Sequence, residues 1–456
     1  MNLRTPLRDT PLPVWLACIA AVAASLGAGF IIPGMPSADN LVKAVIVAAG
    51  AAAVMVTARD PRRILVLCAV AAPFSFTVTV AGFPLDTASL LLFVTGLALI
   101  GRLDAERVPA VVGIGAALMV AGYALATGAA DDPALAAYGA ARWIAVVTVL
   151  IAGAGVLRES PATRVAVARA VTIATPIVVL GALVQAAGVT VPPIGEPFEE
   201  HLDSTFGYYT NYAGFLALGS VVAIGCALHA ARVRAPAWAV FSVISAVSGV
   251  VGIGLAVSRG GILALGVGLI VLLLLQVKRP AVALVGVAGV VAVLLVAFTL
   301  TPGTETAALK ERLTTRQTSD IERRLIQTAG VTAATSHPLG LGYGGFRRYV
   351  RENVRATHTR AEVEHAHRTP VQVTIEGGWL AGAGFVLLFA GAFATSIRSA
   401  WRDVDPLSSG AAEALMGFVA QGWNDYLLVE TASLLCVVAV LLIALTGRSG
   451  GEPRTG

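Results

Sequence analysis

Charge is scarce in this sequence: Asp, Glu, Lys and Arg make up 13% of 456 residues, against 57% hydrophobic residues. A water-soluble globule cannot hide so much apolar surface, so the usual division of such a length into about three soluble domains is excluded. Cysteine is scarce as well. Cys18, Cys68, Cys226 and Cys436 each sit inside an apolar run. They show neither a metal-binding spacing nor a disulfide framework, and they read as small buried hydrophobes. The net charge of +5 is too small and too scattered to point to nucleic acid. Few apolar runs carry an ionisable residue near their middle, and no inverted repeat is visible, which counts against an ion-coupled transporter.

Long apolar runs are what the chain does have. A membrane-crossing helix needs about twenty mostly apolar residues, because lipid cannot satisfy exposed backbone groups. Runs of this kind fall at about 12–33, 41–57, 64–80, 86–101, 108–126, 140–157, 166–188, 211–231, 236–256, 261–277, 280–301, 371–397, 410–427 and 431–446. The fold class is therefore all-α: a polytopic membrane protein of about 14 (12–14) transmembrane helices. Arg4 and Arg8 before the first run imitate a signal peptide, but its length and the spans that follow read as an uncleaved first helix. Alternate connections carry the cations: Arg59, Arg62 and Arg63; Arg102 and Arg107; Arg158 and Arg164; Arg232 and Arg234; Lys278 and Arg279; Arg398 and Arg402. The positive-inside rule then places both termini in the cytoplasm.

Three blocks follow: helices 1–11 over residues 1–301, a large partly helical extracytoplasmic loop over 302–370, and helices 12–14 with a cytoplasmic tail over 371–456. The loop is cation-rich, with Arg323, Arg324, Arg347 and Arg351 among its charges. Long segments translocate regardless of charge, so the cations are either a solvated helical surface or a receptor for an anionic ligand. A helix is expected over Asp320–Thr335, then a flexible glycine-rich reversal over 337–346, then a second helix from Phe346 to Arg355. The reversal lacks the Gly-Lys-Ser/Thr ending of a P-loop.

Three constellations could carry chemistry. Ser258-Arg259-Gly260-Gly261 puts a guanidinium beside two glycines that permit close approach. Glu322-Arg323-Arg324 precedes the glycine-rich turn. His365-Ala366-His367-Arg368-Thr369-Pro370-Val371-Gln372 reads as a helix start, with Thr369 as N-cap, Pro370 at the first helical position and Gln372 closing a capping box. His367 then stands just outside a helix N-terminus, where the positive dipole end favours the neutral imidazole that can accept a proton. The alternative is a solvated loop histidine. Glu376-Gly377-Gly378 follows, and Gly378 with Gly382 offers a close-packing face. His365 and His367 alone are too few for a metal site.

Four stretches in order resemble the O-antigen ligase and O-antigen polymerase superfamily of integral-membrane glycosyltransferases. They are Phe206-Gly207-Tyr208-Tyr209-Thr210-Asn211; Ser258-Arg259-Gly260-Gly261; Arg323 with Pro338-Leu339-Gly340-Leu341-Gly342-Tyr343-Gly344-Gly345-Phe346; and His367 with Gln372 and Glu376-Gly377-Gly378. The chain departs from the family pattern at Arg368, where Asn is usual, at Ala381, where Gly is common, and at Asp203-Ser204, where a basic residue often stands.

The resemblance implies transfer of a glycan from a polyprenyl diphosphate to an acceptor hydroxyl outside the plasma (inner) membrane of a bacterium. It also implies His367 as catalytic base and Arg259, Arg323 and Arg324 as diphosphate ligands. Asn211, Ser258, Gln372 and Glu376 would be supporting residues. Direct attack by the hydroxyl would invert the anomeric centre. No Asp-x-Asp pair stands where it could hold a divalent cation, so neither metal nor cofactor is expected. The expected partners are the lipid-linked glycan, a glycan, lipid or other hydroxyl acceptor, and membrane lipids. A polysaccharide or lipid flippase and a non-catalytic scaffold of an envelope polysaccharide machine remain as alternatives.

Overall fold

The computed structural model describes residues 60–75, 77–80, 83–188, 201–275, 318–354, 363–428 and 431–447. The expected spans 12–33, 41–57 and 280–301, together with Cys18, Lys278, Arg279 and Arg355, lie outside the described residues. The described helices are α1 (Pro61–Ala71), α2 (Thr87–Leu99), α3 (Ala110–Ala129), α4 (Pro133–Glu159), α5 (Pro161–Ala186), α6 (Tyr209–Arg232) and α7 (Pro236–Leu255). They continue with α8 (Arg259–Leu275), α9 (Thr318–Ser336), α10 (Gly345–Asn353), α11 (Thr369–Arg402), α12 (Pro406–Gly422) and α13 (Thr431–Leu445). An antiparallel hairpin, β1 (Thr77–Val80) with β2 (Phe83–Asp86), interrupts them.

Six of these helices, α3 to α7 and α11, are long and apolar enough to cross a membrane. The chain is a membrane protein. One expected span does not form as such: over 64–80 the helix stops at Ala71 and the chain turns into the hairpin. Pro73 has no N–H to continue the ladder, and the alternating Thr77-Val78-Thr79-Val80 suits a strand. The run 410–427 is also shorter than expected, because α12 ends at Gly422 and releases Trp423–Leu428 as a connection. Every residue of α13 is buried. Its apolar character all round is that of a central core helix.

Small residues set a close helix contact. A Cβ on Gly115 would lie 2.7 Å from Gly384 O, and one on Gly122 would lie 2.5 Å from Gly377 O, so α3 and α11 meet backbone to backbone. Proline inside α5 is accommodated from a neighbour. Pro176 leaves Thr172 O without its helical donor, and Ser245 Oγ on α7 donates to that oxygen at 2.6 Å.

The cationic connections gather at one end of the bundle. Arg107 pairs with Glu159, Arg158 Nη2 donates to Leu445 O at 3.0 Å, and Arg232 donates to Val404 O. Arg164 is buried there. Its guanidinium donates to Asp405 Oδ2 (2.6 Å), Ser408 Oγ (2.9 Å) and Ile443 O (3.0 Å). Replacing Arg164 by alanine would leave Asp405 buried without its partner, a change that typically costs about 3–5 kcal/mol. The expected result is a large fall in thermal midpoint in detergent, with Arg164→Ala and Asp405→Ala together costing less than their sum. Additive losses would show that the two do not act as a pair.

Cys68, Cys226 and Cys436 are free and buried, as their apolar settings predict.

Candidate active site

The opposite end carries the motifs, and the path to it begins with a break in a helix. Inside α11, Gly378 adopts φ +72° and ψ −176°, a region that essentially only glycine enters. The break strips carbonyls and an N–H of their helical partners, and buried backbone groups must find others. The segment Pro338–Gly342 supplies them: Leu341 N donates to Ile375 O (2.7 Å), Gly342 N to Glu376 O (3.0 Å), and Trp379 N to Pro338 O (2.9 Å). Gly340, at φ +86°, passes so close that a Cβ would lie 2.5 Å from Gly378 N. The glycine-rich stretch is therefore not a flexible reversal but a fixed insert, clamped into α11. Beyond it, Gly342 seats on Ala130 and Ala136, and Gly344 on Leu135, so α9 and α10 cap the α3–α4 end.

At the top of α11 the helix starts at Thr369, one residue earlier than expected, with Arg368 as N-cap residue. Thr369 is not the side-chain cap. Its hydroxyl donates to Asp425 O at 2.9 Å, and its N–H donates to the same oxygen at 3.1 Å. Gln372 does reach back, accepting from Ala366 N at 2.8 Å, while its amide donates to Glu376 Oε1 at 2.8 Å. Tyr123 Oη donates to the other Glu376 oxygen at 3.0 Å. Gln372 and Glu376 thus form a buried strut under the histidine segment.

His367 has φ +50°, a left-handed conformation that histidine tolerates better than most residues. Its carbonyl accepts from Gln327 Nε2 on α9 at 3.1 Å. Its Nδ1 lies 3.2 Å from Asp425 Oδ1, and Tyr426 N donates to that same oxygen at 2.9 Å. His367 is 18% exposed at its side chain and Asp425 7%, so the ring reaches solvent while its partner stays covered. Burial opposes charge on Asp425, but the His367 hydrogen bond and the Arg323 guanidinium outweigh it and hold the carboxyl well below the usual range. Asp425 comes from the α12–α13 connection, inside what reads in sequence as a span. The cue to it is the polar Trp423-Asn424-Asp425 group just past Gly422.

The other motifs converge on the same connection. Gln421, at the end of α12, donates to Thr210 O at 2.9 Å, and a Cβ on Gly260 would lie 3.2 Å from its Cγ. Asn211 and Arg259 therefore begin helices on either side of it. Asn211 is buried, and its Nδ2 has no hydrogen-bond partner. Ser258 is also buried, and its Oγ accepts from Gly261 N at 3.2 Å, the bond of an N-cap for α8. Arg323 acts electrostatically on both Asp425 and His365, whereas Arg324 points outward and is exposed. Asp203 and Ser204 tie the start of α6 to α5, through Gln185 Nε2 to Asp203 Oδ1 (2.6 Å) and Ser204 Oγ to Val178 O (2.7 Å).

Arg142 is a buried cation the sequence reading did not single out. It donates to Leu428 O at 2.7 Å and lies 5.9 Å over the Tyr343 ring, bracing the connection that holds Asp425. An arginine within an apolar run was the available signal.

The structure also adds a third group to the histidine pair. Ligand atoms of His365, His367 and Asp425 lie within 4.8 Å of one another. Two imidazoles and a carboxylate are donors a zinc-type ion accepts. Against a cation stands Arg323, whose charge already faces Asp425 and His365.

His365 packs against the rings of His367 and Tyr426, and its Nδ1 has no hydrogen-bond partner. That enclosure, and then the neighbouring His367, pushes its pKa down to about 4. Between that value and the ordinary one near 6.5, the unfolded chain binds a proton that the folded chain refuses. Stability contributed by His365 is thus whole above about pH 6.5, erodes as pH falls, and levels off below about 4. His365→Gln should flatten the thermal midpoint over that interval relative to the parent. An unchanged acid slope would place the sensitivity elsewhere.

Residues 243–386 match the family model for O-antigen ligases. No curated protein matches the chain. The matched stretch holds three of the four motif segments, including Arg259, Arg323, His367 and the Gly378 break; Asn211 and Asp425 lie outside it. Over this stretch, about a third of its length, the chain is similar to the O-antigen ligases, which supports the resemblance read from its motifs.

Proposed function

We propose that the protein is a membrane glycosyltransferase, which moves a glycan from a polyprenyl diphosphate donor to an acceptor hydroxyl at the extracytoplasmic face. The observation that carries this reading is the His367–Asp425 pair, set at a helix N-terminus and faced by Arg323. Because Nδ1 faces the carboxylate, neutral His367 carries its proton there and presents the Nε2 lone pair. The acceptor oxygen attacks the anomeric carbon as its proton passes to Nε2. The bond from that carbon to the diphosphate breaks, and the electron pair leaves on the diphosphate oxygen. Arg259 and Arg323 neutralise the charge that grows there. Arg324 faces away from the pair. One attack inverts the anomeric centre.

The positive-inside pattern supports this orientation: the Arg107, Arg158, Arg164 and Arg232 end is cytoplasmic, and the His367 end is outside the bacterial inner membrane. With arginines answering the diphosphate, the reaction needs no divalent cation. The test is transfer by the purified chain in proteoliposomes, from an undecaprenyl diphosphate-linked glycan to an added acceptor. A new glycosidic bond of inverted configuration, formed equally with EDTA present, is the expected product. Loss with EDTA and recovery with magnesium would overturn metal independence. Labelled glycan crossing the membrane with no new bond would favour a flippase, and a chain indifferent to Arg259 and His367 substitution would favour a scaffold. The product also separates polymerase, which extends a second lipid-linked glycan, from ligase, which loads a different acceptor.

A further inference from the structure

The large loop is cation-rich at both ends, yet the 22 residues from Leu325 to Phe346 contain no Asp, Glu, Lys or Arg. Most of α9 lies in that stretch, and its two faces differ. One face carries Ile326, Gln327, Gly330, Ala333 and Ala334 against the bundle, with Ala334 O accepting from Trp379 Nε1 at 2.8 Å. The outward face presents Ile321 (52% exposed), Leu325 (53%) and Val331 (43%), with Thr328, Thr332 and Thr335 between them and one exposed cation, Arg324, in its first turns.

Those threonines do not offer free hydroxyls. Thr328 Oγ1 donates to Arg324 O (2.9 Å), Thr332 to Thr328 O (3.1 Å) and Thr335 to Val331 O (3.0 Å). Each hydroxyl is folded back onto its own helix, which turns the methyl outward. Past Arg324, whose long stem lets its guanidinium stay at the headgroup level while its methylenes lie on apolar surface, the face is apolar in effect, although its composition reads as polar. It also continues into a surface that meets lipid. Leu339 (56% exposed) and Trp379 (56%) follow it, then Ala383, Val386, Ala390 and Ala394 along the exposed stripe of the α11 span. A tryptophan at such a junction is what a membrane interface selects.

We infer that the outward face of α9 is seated on the acyl chains of the outer leaflet, as an interfacial helix of the loop. The loop then does not stand clear of the bilayer in water. Its Arg323 side lines the His367 site while its Leu325 side rests in lipid, so a lipid-borne anion reaches the site by lateral diffusion. The lipid contact itself is independent of the reaction proposed above.

Nitroxide labels at Leu325→Cys and Thr332→Cys, with Arg351→Cys on exposed α10 as reference, test this in the full chain in phosphatidylethanolamine–phosphatidylglycerol nanodiscs. Oxygen should relax the first two labels more than a water-soluble nickel chelate does, with an oxygen-to-nickel ratio several-fold above that at 351. A ratio equal to that at 351 would place the face in water and overturn the inference. Labels at 325 and 332 shielded from both reagents would mean protein covers the face, which overturns it equally. Neither outcome bears on catalysis, which is read separately.

Discussion

Replacing His367 by alanine should cut glycan transfer roughly a hundredfold to ten-thousandfold, the usual contribution of a positioned general base. The chain should stay folded and donor-bound. The ring is partly exposed, the Gln327 bond to its backbone carbonyl survives the substitution, and Asp425 keeps the bond from Tyr426 N and the facing Arg323 charge after the ring is gone. Alanine is less content than histidine at φ +50°, with a left-handed penalty of about 1–2 kcal/mol. His367→Asn is therefore the companion variant, because asparagine accepts that conformation. If both variants keep their thermal midpoint and lose transfer, the imidazole is the group that matters; if either retains full turnover, His367 is not the base. Asp425→Asn probes the same pair from the other side. It keeps the side chain's size but cannot hold a charged partner, so it should lower turnover by a smaller factor.

The largest structural effect is expected at Gly378. A Cβ there would meet Pro338 O at 2.5 Å and Leu339 C at 2.7 Å, at a φ of +72° where the backbone itself resists a side chain. Strain of about 1–3 kcal/mol from the conformation adds to about 1–3 kcal/mol from overpacking, and three backbone hydrogen bonds of the insert are at risk as well. Gly378→Ala should lower the thermal midpoint strongly and abolish transfer. Gly340→Ala should behave the same way, because its Cβ would lie 2.7 Å from Glu376 O. The pair should not be additive, since either one already unseats the insert. A Gly378→Ala chain with an unchanged midpoint would mean that the break in α11 is not what holds the cap.

Much of this could be read from the residues, for reasons that also explain what could not. The long helices α3 to α7 announce themselves because apolar length is a local property, and the start of α11 is marked by Pro370 at its first turn. His367, Gln372 and Glu376 come together because one short stretch carries the histidine and the strut beneath it, while Arg323 arrives from α9. The break at Gly378 was invisible. Gly378 with Gly382 inside an apolar run reads as a packing face, and only the distant Pro338–Gly342 segment makes Gly378 an interruption. Asp425 was hidden for a related reason: hydropathy averaged it into a span that ends at Gly422. The hairpin at 77–86 was lost in the same averaging, since β-branched residues are as apolar in a strand as in a helix.

The pairing of His367 with Asp425 fixes an order of events during synthesis. The histidine enters the membrane system with the cap and α11, while its carboxylate arrives 58 residues later, between the last two described helices. Until α12 has folded and its end has turned back, His367 has no carboxylate partner, and Gln421 has not yet joined the Asn211 and Arg259 helices. On the proposed reading, a chain still leaving the ribosome can hold its cap and its cationic wall and yet be inert. Competence arrives in one step, when the end of α12 is in place.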